Sequence, residues 1–379
     1  MYLRFARDDF AQADGESPRW PFAPEEIEPW YGVVEKRLGI SGAHDNVPWL
    51  PDSEIANILV PTKAETSLMQ AVKTRWPGAR PVLGRYAPPA NTLEGAACTG
   101  RLALRPGAIV RAIEGKRGRV TGVRWHDQLS GSERSAHAPI VFLCASGLES
   151  TRILMLSEDA NGRPIGAGSN ALGHYLMDHL MVGAEGIASA LPGTQPGDIE
   201  EGRSVYLARF DARESDAPKP GRGFGVQVCQ QSLGRDRSLF FAASFGEMRP
   251  RIENKVSLNR KRVDRWGIPV LHIDCTHEQR ELQRAMDQTA ALRSLAHILG
   301  VSLTRIDETP KPPGSAVHEC GTARMGSDPA TSVLDPNNQC WDAAGLYVTD
   351  SASFSSQGSQ NPTLTIMSLT ARACAHAVR

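Results

Sequence analysis

The chain has 379 residues, enough for roughly two domains of about 150 residues or one large domain with an elaboration. Hydrophobic residues make up 41% and charged residues 22%, which supports a sizeable core and excludes disorder as a global state. Forty-two basic residues balance 42 acidic ones, so no bulk field draws the protein to nucleic acid or to an anionic membrane, and a small or neutral substrate is the first expectation.

The cysteines (Cys98, Cys144, Cys229, Cys275, Cys320, Cys340 and Cys374) are spread singly, with no Cys-x-x-Cys. They read as free thiols of a reducing compartment rather than as a zinc site or a disulfide framework, and no metal is expected. No apolar run is long enough for a membrane span, and no basic stretch followed by an apolar run opens the chain, so as written it reads as cytoplasmic.

In chain order, Ile27, Trp30, Tyr31, Val34 and Leu38 recur at helical spacing and predict a helix over 25–38 that Gly39 stops. A second helix is expected over 64–75. Alternation then predicts a meander of short strands over 102–105, 108–113 and 119–125. The unbroken apolar run Pro139 to Leu143, ending in Cys144-Ala-Ser-Gly147 and followed by a helix over 149–156, has the pattern of a buried parallel strand entering a crossover. Residues 180–275 alternate, as in Val226-Gln-Val-Cys-Gln230 and Val270-Leu-His-Ile-Asp274, and suit an antiparallel sheet with one solvated face. An amphipathic helix over 277–300, a buried strand over 345–350 and a helix over 362–378 complete the chain. The fold class is therefore α/β with α+β elements: a doubly wound domain over 1–179 that resumes over 312–379, interrupted by an inserted antiparallel substrate domain over 180–311.

The most informative stretch is the end of the chain. His318-Glu-Cys-Gly-Thr-Ala-Arg-Met-Gly326, Ser332-Val-Leu-Asp335, Leu346-Tyr-Val-Thr-Asp350 and Asn361-Pro-Thr-Leu-Thr365 form four linked blocks. In this order they resemble the C-terminal signature of the glucose-methanol-choline (GMC) oxidoreductases. The resemblance continues upstream through Tyr2-Leu-Arg4, Trp20, Leu38 to Gly42, Cys144 to Gly147 and Met177-Asp-His179, so nearly the whole chain can be laid on the family. It implies an FAD-dependent oxidation of a CH–OH group by hydride transfer to flavin, with FAD as the cofactor. His318 stands where the family has its catalytic base and Asn361 where it places an Asn or His that orients the alcohol oxygen. By the same resemblance Asp350 and Ser351 lie near the ribityl chain, Asn361, Pro362 and Thr363 at the flavin end of the last helix, and Val110, Ser146 and Gly147 on the adenine side.

These roles suit the residue types. A neutral imidazole can take a hydroxyl proton near pH 7, and a carboxamide can hold an oxygen in line. Asn-Pro also suits the start of a helix, so the last helix is expected to begin at Asn361, capped by its side chain. Its positive end would favour the negative charge that gathers on a reduced flavin.

Glu319 follows His318 where many family members have Pro. Together with Asn338-Gln339, this resembles the bacterial branch of glucoside 3-dehydrogenases and gluconate 2-dehydrogenase large subunits. The branch implies a sugar, glycoside or polyol substrate, and a dehydrogenase rather than an oxidase; the acceptor is open among a cytochrome, a quinone and oxygen. The family's opening strand, Gly-x-Gly-x-x-Gly turn and helix, whose backbone N–H groups hold the FAD diphosphate, have no counterpart here. Gly166-Ala-Gly168 to Gly173 and Gly221-Arg-Gly-Phe-Gly225 are glycine-rich at the wrong spacing and are expected to be loops. Met1 is therefore expected to lie inside a longer domain, whose missing start could carry a periplasmic signal. The rival expectation is a non-catalytic remnant that folds without FAD.

Overall fold

The computed structural model describes residues 1–11, 18–88, 92–189, 203–210, 223–232 and 237–379. Helix α1 spans Pro24–Leu38; its first residue is the proline, whose missing N–H would have had no helical partner, and Gly39 at φ 66° ends it. Helix α2, Lys63–Arg75, opens with a reciprocal cap, since Thr62 Oγ1 accepts from Glu65 N at 3.2 Å and Glu65 Oε2 accepts from Thr62 N at 2.8 Å. Strand β1 is Pro81–Leu83. Strands β2 (Ala108–Lys116), β3 (Arg119–Asp127) and β4 (Glu133–His137) form the antiparallel meander. The strand expected over 102–105 does not form, because its alternating leucines meet no facing surface and Leu104 stays 63% exposed.

Strand β5, Val141–Leu143, leads through a short turn into helix α3, Gly147–Met155. Next come β6 (Leu180–Ser189), β7 (Val205–Phe210), β8 (Phe224–Ser232), β9 (Arg237–Gly246), β10 (Lys255–Val263) and β11 (Pro269–Asp274). Helix α4 (Gln279–Ile298), β12 (Val301–Ile306), β13 (Leu346–Val348) and α5 (Thr363–Ala377) follow.

Two large cores result. In one, a six-stranded antiparallel sheet in the order β12-β6-β9-β8-β7-β1 packs against α2 and α4, burying Trp76, Val226, Phe240, Leu292 and Leu295. Along β6 every second residue from Leu180 to Ala188 is buried, the period of a strand with one apolar face. In the other, β5 and β13 pair in parallel (Val141 opposite Leu346, Leu143 opposite Val348), α1 packs on α5, and Phe5, Phe10, Trp20, Phe22 and Phe354 form an aromatic nest. The strand expected over 270–274 forms as β11 but joins a separate hairpin with β10, which Arg152 of α3 holds through Pro269 O and Asp264, each at 2.7 Å. The fold is thus α/β, with a parallel, helix-flanked part and an antiparallel sheet meeting where residues 177–180 pass from one core to the other. Among the described residues no helix is long and apolar enough to cross a membrane, and no three metal-ligating side chains cluster.

Candidate active site

His318 sits on the long loop between β12 and β13. Met177 and Cys320 exchange both backbone hydrogen bonds, at 3.0 and 2.9 Å, which lays Asp178 and His179 alongside His318. Asp178, 1% exposed, then accepts three backbone N–H groups: Gly314 at 2.7 Å and Ala316 at 3.1 Å on Oδ2, His318 at 3.1 Å on Oδ1. The last two flank Val317, whose φ of 58° is a left-handed conformation that a β-branched residue resists. The carboxylate therefore spans the strained residue and fixes the backbone from which His318 projects. Gln357 Nε2 adds a bond to His318 O at 3.0 Å.

The imidazole of His318 bonds on both sides. Its Nδ1 lies 2.8 Å from Nδ1 of His179, whose Nε2 lies 2.7 Å from Gly358 O. Its Nε2 lies 3.4 Å from Asn361 Nδ2, and Asn361 Oδ1 accepts from Gln227 Nε2 at 2.9 Å. Phe245 closes the side, with its ring 5.8 Å from each imidazole. Burial pushes the pKa of His179 down to about 3, with His318 adding to the effect and the Gly358 carbonyl opposing it. Burial also lowers His318, against the pull of Asp178. Both rings are neutral near pH 7, the form in which His318 can accept a proton.

The expected cap at Asn361 does not form. Helix α5 begins at Thr363 with Pro362 as its N-cap and no side-chain cap bond, because the Asn361 carboxamide is turned toward His318 and Gln227 instead. The first N–H groups of α5 are left without a side-chain partner beside exposed Thr363.

A second cluster forms where β5 and β13 end. Asp350 is 7% exposed; one oxygen accepts from Ala352 N at 3.0 Å and the other accepts the Ser150 hydroxyl, which itself accepts from Ala145 N at 2.9 Å. Burial raises its pKa while these bonds oppose the rise. Ser351 Oγ donates to Glu319 O at 2.6 Å, tying this cluster to the residue after His318. Gly147 lies against the same carbonyl, where an added Cβ would stand 2.4 Å from Glu319 O. Ser146, at φ 87°, and its neighbours Cys144 and Ala145 are exposed at the carboxyl end of β5, where parallel sheets bind ligands. The structure thus brings His318 and Asn361 into contact and gathers Ser146, Gly147, Asp350 and Ser351 beside them, with Pro362 and Thr363 at the helix start. Val110 lies on β2, opposite Trp125 in the meander.

For a flavin cofactor, these residues fit the ring end: an uncapped helix N-terminus beside the His318–Asn361 contact suits electron-rich atoms. No diphosphate cradle exists among the described residues. The N–H groups of Gly166 and Gly168 are already held by the Asp342 carboxylate, at 2.9 to 3.2 Å. Gly225 lies within β8, while Gly221 falls outside the described residues.

Sequence reasoning missed Gln227, and it placed His179 only as part of the upstream resemblance. Gln227 carried a faint mark, a half-buried polar residue between buried Val226 and Val228 on a strand. His179 bonds a backbone carbonyl and the ring of His318 at once.

Residues 250–370 match the GMC oxidoreductase family. A 2-methyl-1,2-propanediol dehydrogenase of Mycolicibacterium austroafricanum is 28% identical across 93% of this chain and 73% of its own length. A 6'''-hydroxyparomomycin C oxidase of Streptomyces lividus is 26% identical across 99% of this chain and 74% of its own. The crystal structure of pyridoxine 4-oxidase from Mesorbium loti superposes with a TM-score of 0.67 at 17% identity, covering 100% of this chain and 82% of that one, and so shares the fold. Residues 250–370 are thus a GMC oxidoreductase C-terminal domain, and relatives align along nearly the whole chain.

Proposed function

We propose that the protein is an FAD-dependent oxidoreductase acting on a CH–OH group of a sugar, glycoside or polyol. The observation that carries this reading is the meeting of His318 Nε2 and the Asn361 carboxamide, 3.4 Å apart, beside the uncapped start of α5. Bound FAD would supply the hydride acceptor. Asn361, with Pro362 and Thr363, would hold the flavin end, and Asp350 and Ser351 the neighbouring stretch of the cofactor. His318 takes the hydroxyl proton on Nε2, and Asn361 donates to the alcohol oxygen and holds it in line. Phe245 and the antiparallel sheet keep water from the back of the imidazole pair. The named substrates of the relatives, a diol and an aminoglycoside, support a polyhydroxylated donor. A dehydrogenase using a quinone or cytochrome is the preferred form.

The test is anaerobic flavin reduction in the FAD-loaded protein by a panel of sugars and polyols. Replacing His318 with Ala should slow reduction by about 10²- to 10⁴-fold, the usual worth of a positioned proton acceptor, and an unchanged rate refutes its role. Reoxidation by oxygen, a quinone or a cytochrome then separates oxidase from dehydrogenase. The occupied Gly166–Gly168 turn favours a second reading, a flavin-free binding module, which a purified chain lacking flavin absorbance after reconstitution would support.

A further inference from the structure

We infer that His179 is a positioning residue that holds His318 in the Nδ1–H tautomer, so that a bare Nε2 faces Asn361 and the substrate hydroxyl. The inference rests on the proposed role of His318 and adds to it the device that makes its nitrogen a base.

Direction enters at Gly358. A carbonyl oxygen only accepts, so the 2.7 Å contact with His179 Nε2 requires a proton on Nε2. His179 is 2% exposed and neutral near pH 7, so its other nitrogen, Nδ1, carries no proton and must accept. The group 2.8 Å away is His318 Nδ1, which must therefore be the donor. With Nδ1 protonated and the ring neutral, His318 Nε2 is bare. It faces Asn361, which can then present only its NH₂, and this turns Asn361 Oδ1 to accept from Gln227. A single carbonyl sets every donor in a five-membered chain that crosses from the helix-flanked core to the antiparallel sheet.

That carbonyl cannot readily turn away. The segment 355–360 is wholly polar and buried, with Gln357 and Ser356 at 0% exposure and Gln360 at 1%. Ser356 accepts from Trp20 Nε1 at 2.8 Å, Gln360 Nε2 donates to Asp9, and a Cβ at Gly358 would stand 2.5 Å from Gln360 Oε1. The alternative tautomer would send an N–H from His318 toward both Asn361 and the incoming hydroxyl, leaving nothing to accept the proton. A carboxylate in the place of His179 would fix the same tautomer but would also raise the basicity of His318. A neutral imidazole fixes the tautomer while leaving the ring free of charge and quick to release the proton it takes.

The test reads the tautomer directly. In protein labelled with ¹⁵N-histidine, long-range ¹H–¹⁵N correlation should show His318 protonated on Nδ1 and His179 on Nε2, the signals being assigned by their loss in His318→Ala and His179→Phe. In His179→Phe, which fills the space without an acceptor, His318 should move to the Nε2–H form that water favours. In the FAD-loaded protein kcat should then fall about 100-fold or more, within the cost of a wrong tautomer in a histidine relay, while KM changes little. His179→Asn places an oxygen where Nδ1 stood and should restore both the Nδ1–H pattern and most of kcat. An Nε2–H signal from His318 in the unaltered protein overturns the relay, as does an unchanged tautomer in His179→Phe. Undiminished turnover in His318→Ala with the tautomers as assigned would instead overturn the proposed function, so the two failures are told apart.

Discussion

The loop that carries His318 and the turn that carries Ser146 meet at Glu319, whose carbonyl accepts from Ser351 and lies against Gly147. One is held at every point. Asp178 takes three of its N–H groups, Gln357 bonds its carbonyl, and a strained Val317 is tolerated because the bonds on either side leave it no other conformation. The other is open: Cys144, Ala145 and Ser146 are exposed, and most of the order there comes from the buried Asp350 beneath them. The contrast teaches how the work divides in this site. Proton transfer needs a nitrogen fixed to within a fraction of an ångström, so that side is built before any ligand arrives. A cofactor brings its own surface, so the side that would receive it can remain uncovered.

The sharpest way to break the contrast is to remove the clamp. Asp178→Ala leaves three N–H groups without their acceptor, and at about 1–3 kcal/mol for each buried donor the loss should reach about 3 kcal/mol or more in urea denaturation. It should also abolish flavin reduction by releasing the His318 loop, whereas a change to the exposed turn, such as Ser146→Ala, should leave stability within about 0.5 kcal/mol.

Acid attacks the same side. His179 has a folded pKa of about 3, below its unfolded value near 6.5, so the unfolded chain binds the extra proton between those values. The contribution of neutral His179 is complete above pH 6.5 and is lost as pH falls toward 3, at up to about 1.4 kcal/mol per pH unit. His318, lowered in the same direction, steepens the loss. Denaturation midpoints measured across this range should fall with pH, and His179→Phe should flatten the curve.

Much of this was legible in the sequence, and the failures have physical reasons. Helices α1 and α4 were readable because their apolar spacing and stops are local, and His318 and Asn361 because linked motifs mark them. The strand expected over 102–105 failed since alternation cannot supply the partner a strand needs, and Leu104 found none. Asn361 reads as a cap because Asn-Pro usually is one. Its carboxamide had a stronger claim elsewhere, from Gln227, 134 residues away in the chain. The role of His179 was invisible for the same reason: the Gly358 carbonyl that decides its tautomer lies 179 residues further on.

Crowding at the joint offers a smaller effect. Gly147→Ala would set a methyl 2.4 Å from Glu319 O and 2.9 Å from Ser351 Oγ, so backbone must shift, at a cost of about 1–3 kcal/mol. Because Glu319 adjoins His318, the shift should also lower the rate of flavin reduction; a stability loss without a rate loss would show that the two sides are mechanically independent.

The smallest expected change runs the other way. Val317 holds φ 58° with its side chain 76% exposed, so it contributes strain and little burial. Glycine adopts this conformation freely, and Val317→Gly should relieve about 1 kcal/mol of strain, partly offset by the greater freedom of the unfolded chain. If the Asp178 bonds alone hold His318, the melting temperature should rise slightly and flavin reduction should be unchanged. If the branched side chain stiffens the loop, stability should still rise while the rate falls, which would place part of the positioning in the strained residue itself.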